Sequence, residues 1–162
     1  MTNNPDLGLL SDVLKRHPEA SEPLGLFLTP ELKPSGYDAT PSCCRTFART
    51  GGDGVHFSLA ELDEIGTPGI MTVPMNFDAP NMVVGHDLRD FLALGLRTGY
   101  FVLEKLVYNQ KSALSDLTGG FDIEEPARAA LEEIRETFFL VPWPNVRARL
   151  DALRVEHAWA LI

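Results

Sequence analysis

Apolar and polar positions along this chain change their period several times, and each change marks a structural element. Leu7, Leu10, Val13 and Leu14 share a helical face and Pro18 ends the pattern, which predicts a short helix over Leu7–His17. Prolines at 18, 23, 30 and 34 then surround one apolar island, Leu24–Leu28. Between Pro18 and Ser42 this leaves room for little regular structure beyond one short segment. Next the period falls to two: Val55, Phe57 and Leu59 alternate with His56, Ser58 and Ala60, so one face is core and the other is small or polar. Cys43–Arg49 and Val55–Leu62 read as the two arms of a hairpin. Its tip is Gly51-Gly52-Asp53-Gly54, where glycine tolerates positive φ and Asp-Gly favours a tight corner.

Two more short strands are expected at Ile70–Met75 and Met82–Val84, with Pro74 ending the first or placing it at an edge. The connections are too short for helical crossovers, so the sheet should be antiparallel. Asp87 is placed to cap a helix carrying Leu88, Phe91 and Leu92, with Asp90 near the positive end of its dipole. Tyr100–Tyr108 reads as one or two helical turns. Asp122–Leu140 reads as a longer helix with Pro126 in its first turn and Ala127, Leu131, Ile134 and Phe138 on one stripe. After Pro142-Trp143-Pro144, a last helix from about Asn145 should bury Val146, Leu150, Leu153, His157 and Leu161. These elements describe an α+β chain without internal repeats.

At 162 residues the chain fits one domain, 1–162, with a sizeable core. Adjacent Cys43 and Cys44 are poorly placed to bridge each other, and two cysteines cannot build a four-ligand zinc site, so a reducing compartment is expected. Met1–Asp6 has no basic region, Leu7–Leu10 is too short for a signal core, and no run approaches the roughly 20 apolar residues of a membrane span. The expectation is a soluble cytoplasmic protein. Its 14 basic and 23 acidic residues give a net charge of −9, which argues against nucleic acid as a partner. The imbalance is steepest where Asp53, Glu61, Asp63, Glu64, Asp78, Asp87 and Asp90 face only Arg89. Such a run is ordinarily a solvated surface, and it also offers an acidic face for a basic protein.

Chemical signatures are sparse. His17, His56, His86 and His157 lie on separate elements without helical ligand spacing, so neither a metal nor a cofactor is expected. His157 reads as a core histidine. Asp53, His56 and His86 are the polar groups from which a small-molecule site near the hairpin would be built, or, with Ser58, an acid, a base and a nucleophile. The glycine turn lacks phosphate-loop spacing, and neither a nucleophile elbow nor an activating context for Cys43 or Cys44 is present. No catalytic signature emerges.

Phe47-Ala48-Arg49-Thr50-Gly51-Gly52-Asp53-Gly54-Val55-His56-Phe57, then Val73-Pro74-Met75, then Val84-Gly85-His86-Asp87-Leu88-Arg89-Asp90-Phe91-Leu92-Ala93-Leu94-Gly95 and Gly99-Tyr100 resemble the SUKH superfamily. That superfamily includes fungal cell-wall regulators and bacterial immunity proteins. The resemblance covers a core of about 42–108 and leaves about 122–162 as a C-terminal helical extension. It implies a twisted, mostly antiparallel sheet flanked by helices, serving as a non-enzymatic protein-binding domain. In bacterial relatives the implied partner is a toxin. Here a basic, toxin-like protein would meet the acidic surface of Glu61, Asp63, Glu64, Asp78, Asp87 and Asp90. The alternative is a regulatory module that binds a small molecule near the glycine-rich hairpin through Asp53, His56 and His86.

Overall fold

A computed structural model of the chain describes residues 4–61, 67–119 and 121–162. Helix α1, Pro5–Arg16, begins where the Asn4 side chain accepts a hydrogen bond from the Asp6 amide at 3.0 Å, and it buries Leu10, Val13 and Leu14. A single turn, α2 (Ser21–Leu24), closes on Gly25 at φ 65°. Only glycine fits there, because a β-carbon would stand 2.5 Å from that of Phe101.

Among the described residues, five strands form one antiparallel sheet in the order β1-β2-β3-β4-β5: β1 Phe27–Lys33, β2 Cys44–Arg49, β3 His56–Ala60, β4 Gly69–Thr72 and β5 Asn81–Gly85. The chain is therefore α+β. Strand β1 is longer than the proline-rich composition suggests. It lies at a sheet edge, and its register slips between Leu28 and Lys33, where a bulge interrupts the ladder. Strand β4 stops at Thr72, earlier than the expected Met75. The Val73 amide turns to donate to the Pro80 carbonyl at 2.7 Å and so closes the β4–β5 connection.

The inner face of the sheet meets α3 (Leu88–Leu94), which starts as expected: the Asp90 amide donates to Asp87 Oδ1 at 2.8 Å. Phe91 of α3 stands 4.8 Å from the Phe57 ring, 5.6 Å from Phe47 and 5.1 Å from Tyr100, centroid to centroid. Tyr100 is fully buried, and its hydroxyl donates to the Leu92 carbonyl at 2.8 Å. Burial pushes that phenol far above its ordinary range.

A 3₁₀ turn at Phe101–Glu104 leads into α4 (Lys105–Tyr108) and α5 (Gln110–Thr118), then α6 (Glu125–Phe138), α7 (Val146–Glu156) and a last 3₁₀ turn, Ala158–Leu161. Helix α5 was not anticipated. Its sequence is polar apart from Ala113, Leu114 and Leu117, of which it buries Ala113 and Leu117 and packs Leu114 partly against the core. Helix α6 packs on α1, α2 and α3, while α7 and the final turn pack on β5. Val146, Leu150, Leu153 and His157 are buried as anticipated, and Leu161 is partly buried against the core. No helix among the described residues is long and apolar enough to cross a membrane.

Candidate functional site

Every residue of β3 is buried, including the polar set His56 and Ser58 that alternates with the core. The covering comes from the loop between β1 and β2. The Asn81 side-chain amide donates to the Ala39 carbonyl at 2.8 Å, and Thr72 donates to Asn81 Oδ1 at 2.6 Å. Thr46 and Ser58, cross-strand partners, join hydroxyls at 3.1 Å. A hydrogen-bonded polar layer therefore lies between the outer sheet face and the loop.

At the hairpin end of this layer opens a cleft of about 750 Å³, bounded by the glycine turn, β1 and the loop, with Thr29, Tyr37, Thr46, Arg49, Asp53 and His56 among its lining. Aromatic rings explain two of these glycines, Gly51 and Gly54. A β-carbon on Gly51 (φ 90°) would lie 2.8 Å from the Phe27 ring, one on Gly54 (φ 72°) would lie 2.5 Å from the Tyr37 hydroxyl, and Gly52 faces the Phe101 ring. The turn is thus thin because aromatic side chains stand against it. Arg49 extends over the Phe27 ring at 5.1 Å from its centroid, and Tyr37 stacks on His56 at 5.3 Å.

His56 is fixed at both nitrogens. A carbonyl can only accept, so Nδ1, 2.8 Å from the Gly54 oxygen, carries the proton. Nε2 then accepts from the Thr40 hydroxyl at 2.7 Å, and Thr40 in turn accepts from Ser35 at 2.5 Å. Burial holds this imidazole below its ordinary value, with the Gly54 hydrogen bond opposing more weakly. It is a neutral strut with no spare lone pair for proton transfer. Asp53, at φ 51°, is exposed at the cleft rim.

His86 does not join Asp53 and His56. Register pairs His56 with Thr72 and Thr72 with Asn81, and His86 follows five residues beyond Asn81, about 16 Å along the strand direction. An acid–base–nucleophile set of Asp53, His56 and His86 is therefore not assembled. Neither cysteine is bridged, and burial is the main reason that the Cys44 thiol is pushed up to about 12.

The acidic residues divide between the two ends of the sheet. Asp78 is exposed in the β4–β5 turn beside Phe77 and Met75, which are 84% and 66% exposed. Glu61 follows β3 at the opposite end, the end at which Asp87 and Asp90 follow β5. Asp87 caps α3. The Asp90 carboxylate accepts from the His86 amide at 2.7 Å and from Arg149 at 2.8 Å, and its backbone carbonyl accepts from Trp143 Nε1 at 3.0 Å. Asp63 and Glu64 lie outside the described residues.

At this second end His86 meets a residue that spacing alone does not reveal. His86 Nδ1 lies 3.0 Å from His157 Nε2, across 71 residues of sequence, with Glu156 Oε1 at 3.5 Å from His86 and 3.8 Å from His157. His157 is 2% exposed and its Nδ1 has no hydrogen-bond partner among the described residues. Burial lowers its pKa, against the pull of Glu156. Comparison of the chain with protein-family models, with curated proteins and with solved structures gives no match.

Proposed function

We propose that this chain is a non-enzymatic binding domain whose ligand is a small, ring-bearing polar molecule held in the cleft at the glycine-rich hairpin. The observation that carries the reading is the cleft itself, a concave space of about 750 Å³ in which aromatic and charged side chains converge. Phe27, Tyr37 and Phe101 offer faces for a ring. Arg49 and Lys33 offer cationic donors and Asp53 and Glu22 offer acceptors, a set suited to a ligand with charges of both signs. His56 serves as the floor: its nitrogens are committed, so it shapes the site and leaves recognition to the rim.

A thermal-shift screen against a metabolite library tests this reading. A true ligand at 100 times its Kd stabilises the fold by about 2.7 kcal/mol, a rise of roughly 5–10 °C for a domain of this size. Arg49→Ala and Tyr37→Ala should each abolish the rise while leaving the unliganded midpoint nearly unchanged. A library without hits, or hits indifferent to both substitutions, overturns the proposal.

A second reading rests on the exposed Phe77 and Met75 beside Asp78, an apolar knob with an acidic flank. With a net charge of −9, the partner it suits is a basic protein, as the SUKH resemblance suggests for a toxin. Pull-down from cells with wild-type protein and with Phe77→Ala/Asp78→Lys separates the readings. A basic protein retained only by the wild type supports it; identical eluates count against it.

A further inference from the structure

The junction of β5, α3 and α7 holds three metal-ligating side chains, far from the cleft and with no part in its chemistry. We propose that His86, Glu156 and His157 form a binding site for a divalent first-row transition ion of the zinc type, which joins the end of α7 to the end of β5. The three candidate donor atoms are 3.0, 3.5 and 3.8 Å apart. Tetrahedral donors at ordinary zinc bond lengths stand about 3.3 Å from one another, so these atoms are already spaced for a common ion. Two imidazoles and one carboxylate leave a fourth position open. The exposed sides of His86 and Glu156, with side-chain exposures of 48% and 57%, give an ion access to it.

The protonation chemistry agrees with this assignment. Two imidazole nitrogens at 3.0 Å share one proton between them. An ion takes the place of that proton, which moves to the far nitrogen of the ring that gave it up, and no net charge leaves the rings. The surroundings favour a cation. Glu156 lies in the site and Asp90 holds the His86 amide, while Arg149, the nearby positive charge, is paired to Asp90 at 2.8 Å. His157 is held in place by burial and by the edge-on Trp159 ring, 6.3 Å away between centroids. Among the described residues, no carbonyl or carboxylate takes its Nδ1, the kind of partner that usually orients a ligand imidazole. That omission sets the affinity nearer to micromolar than to the tightest structural sites.

Isothermal titration of the full chain with ZnCl2, with MgCl2 as the oxygen-preferring control, tests the proposal. Wild-type protein should bind one zinc ion with a Kd on the order of micromolar and ignore magnesium. Because loss of outer partners alone weakens metal sites by 10–100-fold, His86→Ala and Glu156→Gln should each cost about 100-fold or more. Both side chains are substantially exposed, so circular dichroism should confirm that the variants fold. His17→Gln and Cys43→Ser, which lie outside the cluster, should bind as the wild type does. No saturable zinc binding below ~1 mM, retention of affinity in either cluster variant, or loss of affinity in Cys43→Ser overturns the site.

Discussion

His56 and His157 are both buried imidazoles with lowered pKa values, and the fold partners them in opposite ways. His56, at the hairpin end, has a carbonyl for its proton and a hydroxyl for its lone pair, so one tautomer is fixed. His157, at the α7 end, has another imidazole at one nitrogen and, among the described residues, no hydrogen-bond partner at the other. A buried polar side chain whose bonds are all answered is part of the scaffold. One that is left short is where a further component has room to act.

The largest expected effect follows from removing each ring in turn. His56→Ala leaves the Gly54 carbonyl and the Thr40 hydroxyl without their partner, and should lower stability by about 2–4 kcal/mol in urea denaturation. His157→Phe removes an unsatisfied atom while keeping an aromatic ring, and should stay within about 1 kcal/mol of wild type in the absence of metal. Equal losses at the two positions would erase the distinction between them.

Gly54→Ala comes next. It places a β-carbon at φ 72° against the Tyr37 hydroxyl and should cost about 1–3 kcal/mol, partly recovered in a Tyr37→Ala background. At the opposite end, Asp90→Asn weakens the bonds from the His86 amide and Arg149 and should cost about 1–2 kcal/mol, whereas Asp78→Asn, in an exposed turn, should stay within about 0.5 kcal/mol.

The pH dependence has a definite sign. Both histidines have folded pKa values below the ordinary 6.5, so the unfolded chain takes up protons first as pH falls. Their contribution is complete above about pH 6.5 and is lost progressively below it, toward the folded values. Thermal midpoints measured from pH 7.5 to 5 should fall in the wild type. The fall should be shallower in His157→Phe, and a slope unchanged by that substitution would assign the acid sensitivity elsewhere.

Elements specified by neighbouring residues were legible in the sequence. The hairpin, the Asp87 cap, the Pro126 helix start and the break at Pro142-Trp143-Pro144 each depend on a few adjacent positions. Strand β1 was obscured because proline density reads as loop unless one knows that the strand lies at an edge. Helix α5 was obscured by its polarity. Asn109, whose side chain accepts from the Ser112 amide at 3.4 Å, followed by Ala113 and Leu117 four apart, is the signal that marks it. Of the cleft, the glycine turn, Asp53 and His56 were legible, but the aromatic rings from β1, the following loop and the Phe101 turn come from distant sequence. No local pattern joins His86 to His157. Their meeting depends on where α7 docks on β5.

The two tryptophans give these regions different optical visibility. Trp143 donates to the Asp90 carbonyl and Trp159 stands edge-on to His157, so both of the chain's indoles report from the α7 junction. The cleft is lined by phenylalanine and tyrosine and holds no indole. Tryptophan emission is therefore a built-in gauge of events beside His157, such as quenching by a paramagnetic ion, and is nearly silent to a molecule entering at the hairpin. Two ligands added to one sample can thus be followed separately without attaching a dye.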